Sequence, residues 1–349
     1  MLAAFLLWGC SPGYLLHLGK GELGILLGMQ RVDKLLRDGG LTPAEEAKVR
    51  LILEAKAFGE KTLGLAASRN YTYFYRVAGS SAAYNLTVSP RLRLEARQWC
   101  FPIAGCLPYK GYFSREKALQ EEARLAARDW DTYLRPVAAF STLGWFIDPI
   151  FSTLLGYDDA TLVEIVLHEM VHRTVFVKNQ GAFNEGAATF IGEKGTEAFL
   201  AARSPDSRTP ESRERLEGKW REERAFAVRM EALAERLRTL YASDLDDALK
   251  LRTRQEWFEE EKGALEDSLG PDRKPAYAGV LRQPWNNAFL VSYLTYHQDF
   301  SLWEKVCDRF QGNLGAMVAG LRRLEDEKDP YARIRVWLEG DAPLGTLTD

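Results

Sequence analysis

His168, Glu169 and His172 are the residues whose types and spacing point most directly to chemistry. The chain holds four histidines, His17, His168, His172 and His297, and two of them bracket a glutamate as His168-Glu169-Met170-Val171-His172. Four positions along a helix turn through about 40° and advance about 6 Å, so both imidazoles face one point. Neutral imidazole nitrogens bind Zn2+ at about 2.0–2.1 Å, and this spacing suits two ligands of one tetrahedron. Glu169 would project beside such a metal, where a carboxylate takes a proton from water and returns it to a leaving amine. The chemistry implied is metal-assisted hydrolysis of a peptide bond, with Zn2+ as cofactor, a peptide as substrate and Glu169 as catalytic base.

A hydrolytic zinc site needs a third protein ligand and an open fourth position. Downstream, Phe183-Asn184-Glu185 opens a new helical stretch after the turn signal Asn179-Gln180-Gly181, and Glu185 is the best candidate. The interval from His172 leaves room to finish one helix, turn, and begin an antiparallel second one. Glu164, Glu193 and Glu197 are weaker candidates. Glu164 lies one turn before His168 and suits a supporting role, whereas Glu193 and Glu197 read as surface glutamates of a helix. For the developing oxyanion, Tyr293, Tyr296 and His297 are candidate donors or substrate contacts, although core packing explains each of them as well.

The elements that must position these residues are mainly helical. Asp158, Asp159 and Thr161 offer capping oxygens before an apolar segment, which predicts a buried helix over 158–178. Thr42, Pro43 and Glu45 form a capping box that starts another helix. Residues 14–37 carry leucine and isoleucine at helical spacing, and further helices are predicted over 115–137, 185–204, 210–243, 245–268, 286–299 and 301–325. Residues 210–268 are dense in Glu, Arg and Lys and read as a long charged helical hairpin with a solvated face. Residues 71–88, aromatic and β-branched around Gly79-Ser80-Ser81, predict a β-hairpin whose edge would suit an extended peptide. Residues 99–113, with Pro102, Gly105, Pro108 and Gly111, predict tight turns or short strands.

The bulk composition fits this picture. Hydrophobic residues make up 46% and charged residues 27% of 349, ordinary for a globular chain, so disorder is excluded. The formal net charge of -3 leaves no electrostatic footprint for nucleic acid. No apolar run reaches the roughly 18 residues of a membrane-spanning helix, and nothing implies a partner protein.

The N-terminus and the cysteines concern location. Met1 to Cys10 reads MLAAFLLWGC, and Leu7-Trp8-Gly9-Cys10 resembles the lipobox of a bacterial lipoprotein signal, although no positively charged segment precedes it. Cys10 would then carry the lipid, and Ser11-Pro12-Gly13 would form a flexible exit. Cys100 and Cys106 flank a short loop that could close as a disulfide, leaving Cys307 as a buried free thiol.

Taken together, several motifs resemble a family of zinc aminopeptidases among bacterial lipoproteins, and more broadly the glutamate-ligand zinc peptidases, the gluzincins. They are the Cys10 lipobox, Trp99-Cys100-Phe101-Pro102-Ile103-Ala104-Gly105-Cys106, Tyr109-Lys110-Gly111-Tyr112-Phe113 and Ser141-Thr142-Leu143-Gly144-Trp145-Phe146. Asp148-Pro149, His168 to His172, Phe183-Asn184-Glu185 and Asn286-Asn287-Ala288 complete the set. The resemblance implies His168, His172 and Glu185 as ligands, Glu169 as base, and an aminopeptidase activity that no other feature specifies. It departs from the best-known gluzincins in a shorter interval from His172 to Glu185. It departs also in Thr189, which stands where many carry an aspartate that supports a ligand histidine.

The expected fold is mainly α (α+β): a zincin-like helical body with a small β-hairpin or sheet and a long charged helical hairpin. Residues 1–10 would be a lipoprotein signal and 11–349 a single metallopeptidase domain, with 210–268 an excursion from it. The expected place is the periplasmic side of a bacterial envelope, attached to the membrane through the N-terminal lipid. A lipid-anchored binding or scaffold protein with a structural or inactive zinc site is the alternative, and a metallohydrolase acting on a non-peptide amide is a third reading.

Overall fold

The computed structural model describes residues 12–101, 105–139, 147–203, 210–270, 273–296 and 300–340. Cys10, the 141–146 segment and His297 lie outside the described residues.

In chain order the elements begin with α1 (Pro12–Gly28), β1 (Gln30–Arg31), α2 (Val32–Asp38), α3 (Pro43–Lys61), β2 (Tyr73–Tyr75) and β3 (Ala83–Pro90). They continue with β4 (Trp99–Phe101), β5 (Gly105–Leu107), β6 (Tyr109–Tyr112), α4 (Arg115–Ala126), β7 (Trp130–Val137) and β8 (Ile150–Phe151). A 3-10 turn, Ser152–Gly156, leads to α5 (Asp159–Thr174), α6 (Gly181–Arg203), α7 (Pro210–Ala242) and α8 (Asp247–Ser268). The last helices are α9 (Lys274–Arg282), α10 (Asn287–Tyr296), α11 (Phe300–Arg309), α12 (Leu314–Arg322) and α13 (Pro330–Glu339). The chain is mainly helical with small sheets, as its periodicity predicts.

Two compact units divide the chain. One contains Pro12–Ala83, Pro136–Lys219 and Asp299–Asp349, and is called here the α5–α6 unit. Its core draws Ile52 and Ala55 from α3, Val166 and Val171 from α5, Phe183 and Phe190 from α6, and Trp303, Met317 and Ile334 from the last three helices. The other contains Tyr84–Arg135 and Trp220–Gln298. In its core Met230, Leu233 and Leu237 of α7 join Phe258 of α8 and Trp285, Phe289 and Leu290 at α10. The charged hairpin is present in this second unit: Arg229 pairs with Glu261 at 2.8 Å across α7 and α8, and the Arg236 guanidinium lies 4.4 Å from the Trp257 ring centroid.

Three expectations about local structure are corrected. Residues 71–88 are not a hairpin. β2 lies between β1 and β8, antiparallel to the first and parallel to the second, whereas β3 lies between β6 and β7. Local propensity identifies both strands but not their partners, since Phe74 joins the α5–α6 core while Leu86 and Val88 are buried elsewhere. Neither strand has a free edge for a peptide, because each is already paired on both sides.

The helix predicted over 115–137 stops at Ala126, because Asp129 adopts φ 60° and the chain turns into β7. Trp130, Thr132 and Tyr133 then follow strand propensity. The helix predicted over 301–325 divides into α11 and α12 at Gln311 (φ 58°) and Gly312 (φ 72°), two consecutive left-handed residues that no helix accommodates. In the same way Met29 and the short β1 separate α1 from α2.

Candidate metal centre

α5 starts where its sequence signals a start. The Asp158 side chain accepts the Thr161 N–H at 3.0 Å and the Thr161 hydroxyl at 2.7 Å, which caps the first turn. From there Leu162, Val163, Val166, Leu167, Met170 and Val171 bury most of the helix surface. What remains of that surface carries His168 and His172, one turn apart.

After α5 ends at Thr174 the chain reverses into α6 with the help of one side chain. The Asn184 amide donates to the Val177 carbonyl at 2.8 Å, and its oxygen accepts the Val177 N–H at 2.8 Å. Asn184 is buried and immediately precedes Glu185, so this double bond to the turn fixes where Glu185 projects. Further along α6, Gly192 allows the two helices to approach. A Cβ at Gly192 would stand 3.2 Å from the Glu164 carbonyl oxygen and 3.3 Å from His168 Cβ.

The outcome is a tight convergence of three ligand atoms. His168 Nε2 and His172 Nε2 lie 3.0 Å apart, with ring planes at 86°. Glu185 Oε2 lies 3.4 Å from the first and 3.3 Å from the second. Among the described residues, these three form the one group of His, Cys, Asp or Glu side chains able to hold a metal ion. Their side chains are only 18%, 11% and 14% exposed, and Glu185 Oε2 is buried without a hydrogen-bond partner. A buried carboxylate oxygen left in this way is costly unless something electropositive meets it. Two imidazole nitrogens and one carboxylate oxygen form a donor set suited to Zn2+, so the residues present fit that ion.

Electrostatics inside the cluster are strong. Burial disfavours a charged His172, but the Glu185 carboxylate overcomes it and raises the imidazole to about 9. Burial likewise opposes a charged Glu185, and the neighbouring His172 and His168 overcome it, holding that carboxyl well below its usual range. Glu169 is raised above the ordinary value, chiefly by burial, with His172 and His168 pulling against the shift and Glu185 and Asp148 adding to it. A glutamate held in this way is suited to exchanging a proton.

Sequence reasoning missed the segment that faces Glu169. Tyr71 is buried with a left-handed φ of 63°, and its N–H donates to the Asp148 carbonyl at 2.8 Å. The neighbouring Asn70 side chain donates to Asp148 Oδ2 at 2.8 Å and accepts the Asp148 N–H at 3.1 Å. The Tyr71 phenol is pushed well above its usual pKa by burial first, then by the charges of Glu169 and Asp148. A tyrosine in this backbone region is a genuine outlier, and such strain persists only where surrounding bonds enforce it. The available signal was Asp148-Pro149, present in the family resemblance without a role.

The remaining candidates fall elsewhere. Glu164 reaches Lys219 at 3.5 Å, and Glu197 pairs with Lys194 at 3.3 Å on the surface. Glu193, expected at the surface, is instead buried, because α6 is enclosed on several faces at once. Tyr293 and Tyr296 belong to the other unit. There Tyr293 packs on Phe226 with centroids 4.8 Å apart, and Arg135 lies 4.4 Å from the Tyr296 ring centroid. Asn287 is structural: its amide donates to the carbonyls of Pro90, Arg91 and Arg93, and its oxygen accepts the Tyr241 hydroxyl. Cys100 and Cys106 face each other on β4 and β5 and are joined by a disulfide, while Cys307 is free and half-buried.

Comparison with known proteins yields one match. The model of a family described as "Putative aminopeptidase" matches residues 13–335. No curated protein and no solved structure matches the chain.

Proposed function

The chain belongs to this aminopeptidase family, and from that premise we propose that it is a zinc-dependent aminopeptidase of the gluzincin kind, with His168, His172 and Glu185 as metal ligands. The observation that carries the proposal is the convergence of the three ligand atoms around a buried carboxylate oxygen that has no hydrogen-bond partner. Bound there, Zn2+ would supply Lewis-acid polarisation of the scissile carbonyl and of the attacking water.

The chain's own residues do the rest. α5 and α6 hold the ligand side chains largely out of water, and Asn184 sets the register of Glu185. Glu169 follows His168 directly and is raised by burial. Its carboxylate accepts a proton from the attacking water and then delivers it to the nitrogen of the leaving amine. The Asn70, Tyr71 and Asp148 network brings a second carboxylate, Asp148, near enough to help raise this glutamate.

Among the described residues three ligand groups converge rather than four, which supports a hydrolytic role over a purely structural one, because structural zinc sites are closed by four protein ligands. The envelope location is part of the same proposal. Leu7-Trp8-Gly9-Cys10 supports lipid attachment, and the Cys100–Cys106 disulfide suits an oxidising compartment.

The deciding experiment is metal analysis of wild type and Glu169→Gln, followed by cleavage of peptides with free or blocked N-termini. Stoichiometric zinc is expected in both, with chelator-sensitive cleavage of free N-termini in the wild type alone. Absence of zinc from the wild type overturns the metal site. Zinc with no cleavage transfers the protein to the binding or scaffold class, and equal cleavage of blocked peptides removes the aminopeptidase assignment.

A further inference from the structure

Three segments of the α5–α6 unit that are distant in sequence meet at Asp148. Asn70 and Tyr71 stand just before β2 and Asp148 just before β8, and these two strands run parallel. Three hydrogen bonds tie them there. The Asn70 amide donates to Asp148 Oδ2 at 2.8 Å, the Asp148 N–H to Asn70 Oδ1 at 3.1 Å, and the Tyr71 N–H to the Asp148 carbonyl at 2.8 Å. Glu22 arrives at the same place from α1. It lies about 60° round that helix from the buried Ile25 and is half-buried, raised first by burial and then by the Asp148 charge. Asp148 also acts on the Tyr71 phenol and on Glu169, so these groups share one neighbourhood directly beside His168.

Carboxylates gathered in a partly buried place repel one another. Among the described residues, the charges that act on Glu22 and on the Tyr71 phenol are all carboxylates. Tyr71 adds a separate observation. It is 4% exposed, yet among the described residues its hydroxyl makes no hydrogen bond, whereas a buried tyrosine hydroxyl usually finds a partner. Excess negative charge beside an idle hydroxyl calls for a cation that donates hydrogen bonds. A bare metal ion does not answer the description. Among the described residues the group whose ligand atoms converge within 4.8 Å is His168, His172 and Glu185, so Glu22, Asp148 and Glu169 stand too far apart for one ion. An alkylammonium carries three N–H donors and can reach separate acceptors.

We infer that Glu22 and Asp148, with the Tyr71 hydroxyl as a neutral acceptor, form the subsite that takes the free α-ammonium of a peptide substrate. The inference rests on the peptidase reading of the neighbouring metal centre and names the residues that select a free N-terminus. In a peptide the ammonium nitrogen is two covalent bonds, about 2.5 Å, from the first carbonyl carbon. Anchoring the ammonium beside the metal ligands therefore commits the first peptide bond to hydrolysis rather than a later one.

The test measures binding to the full chain carrying Glu169→Gln, with zinc supplied, so that no turnover intervenes. Calorimetry compares trialanine with propanoyl-dialanine, the same molecule with hydrogen in place of the ammonium. The parent should bind trialanine about tenfold more tightly. Glu22→Gln should cut that ratio about fivefold and leave both the Kd of propanoyl-dialanine and the Tm unchanged. Tyr71→Phe should cut the ratio about threefold. A parent ratio near one overturns the inference, as does a ratio that Glu22→Gln leaves unaltered. An equal loss for both ligands also overturns it, since that marks a merely structural role. So does a second equivalent of zinc that Glu22→Gln removes, which would assign the carboxylates to a metal. An ammonium preference in a chain that cleaves no peptide keeps the subsite and removes the peptidase reading, whereas cleavage without that preference does the reverse.

Discussion

Asn184 closes on Val177 through both of that residue's backbone groups, at 2.8 Å each, and Glu185 follows it directly. Asn184→Ala leaves the buried Val177 N–H without a partner, at about 1–3 kcal/mol, while the Val177 carbonyl keeps the Gln180 N–H at 3.2 Å. The variant should lose roughly 1–3 kcal/mol in denaturant titration. Zinc affinity, measured by competition with a chelator, should fall about tenfold or more because the support of a ligand is gone.

Gly192 predicts a graded series. Alanine there meets the Glu164 carbonyl at 3.2 Å and His168 Cβ at 3.3 Å, both tighter than ordinary contact. Separating the helices by a few tenths of an ångström should weaken metal binding with only a small fall in Tm. Gly192→Val adds bulk that this separation cannot absorb, and should cost about 1–3 kcal/mol or more. A valine variant that binds zinc and melts like wild type would refute close α5–α6 contact as the determinant.

Metal removal should destabilise the α5–α6 unit. An ion bound only by the folded chain stabilises it by about 4 kcal/mol when free metal stands at a thousand times Kd. Calorimetry with and without chelator should therefore show a clear drop in Tm that added zinc restores. His172→Ala should abolish both the drop and the restoration.

Glu121 gives the pH dependence in the other unit. The hydrogen-bonded Arg124 lowers its carboxyl most, against the opposing effect of burial, and Lys110 lowers it further, to about 2. Because the folded value is depressed, its stabilisation is fully present above the unfolded value of 4.5 and is lost as pH falls toward about 2. Glu121→Gln should thus destabilise the protein at pH 7, and the difference from wild type should shrink steadily in urea titrations between pH 5 and 3. Lys110 retains contacts with the rings of Trp99 and Tyr112, which keeps the variant folded.

How much was legible in the sequence depended on the reach of each contact. The convergence of His168, His172 and Glu185 was readable because they lie on two consecutive helices, where spacing fixes which residues share a face. The Thr42 and Glu45 capping box was readable for the same reason, and both of its hydrogen bonds are present. Strand pairing was not, since β2 takes β8 as its parallel neighbour from 76 positions along the chain. Tyr71 and Asp148 were invisible as site residues because their meeting is tertiary, and no local pattern announces a left-handed tyrosine. Glu193 read as exposed because a helix enclosed on several faces has no polar side to mark it.

The Asn184 turn also bears on the order in which the chain folds. All three ligand side chains fall between positions 168 and 185, within one helical hairpin, whereas the Asn70 and Asp148 bonds close a loop of 78 residues. Closing a short loop costs less chain entropy than closing a long one, and low contact order favours early formation. The hairpin therefore needs no distant segment to assemble its donor set. On the proposed function, a nascent chain has its three donor residues in place before the strained Tyr71 joins Asp148, and ion uptake would guide assembly of the rest.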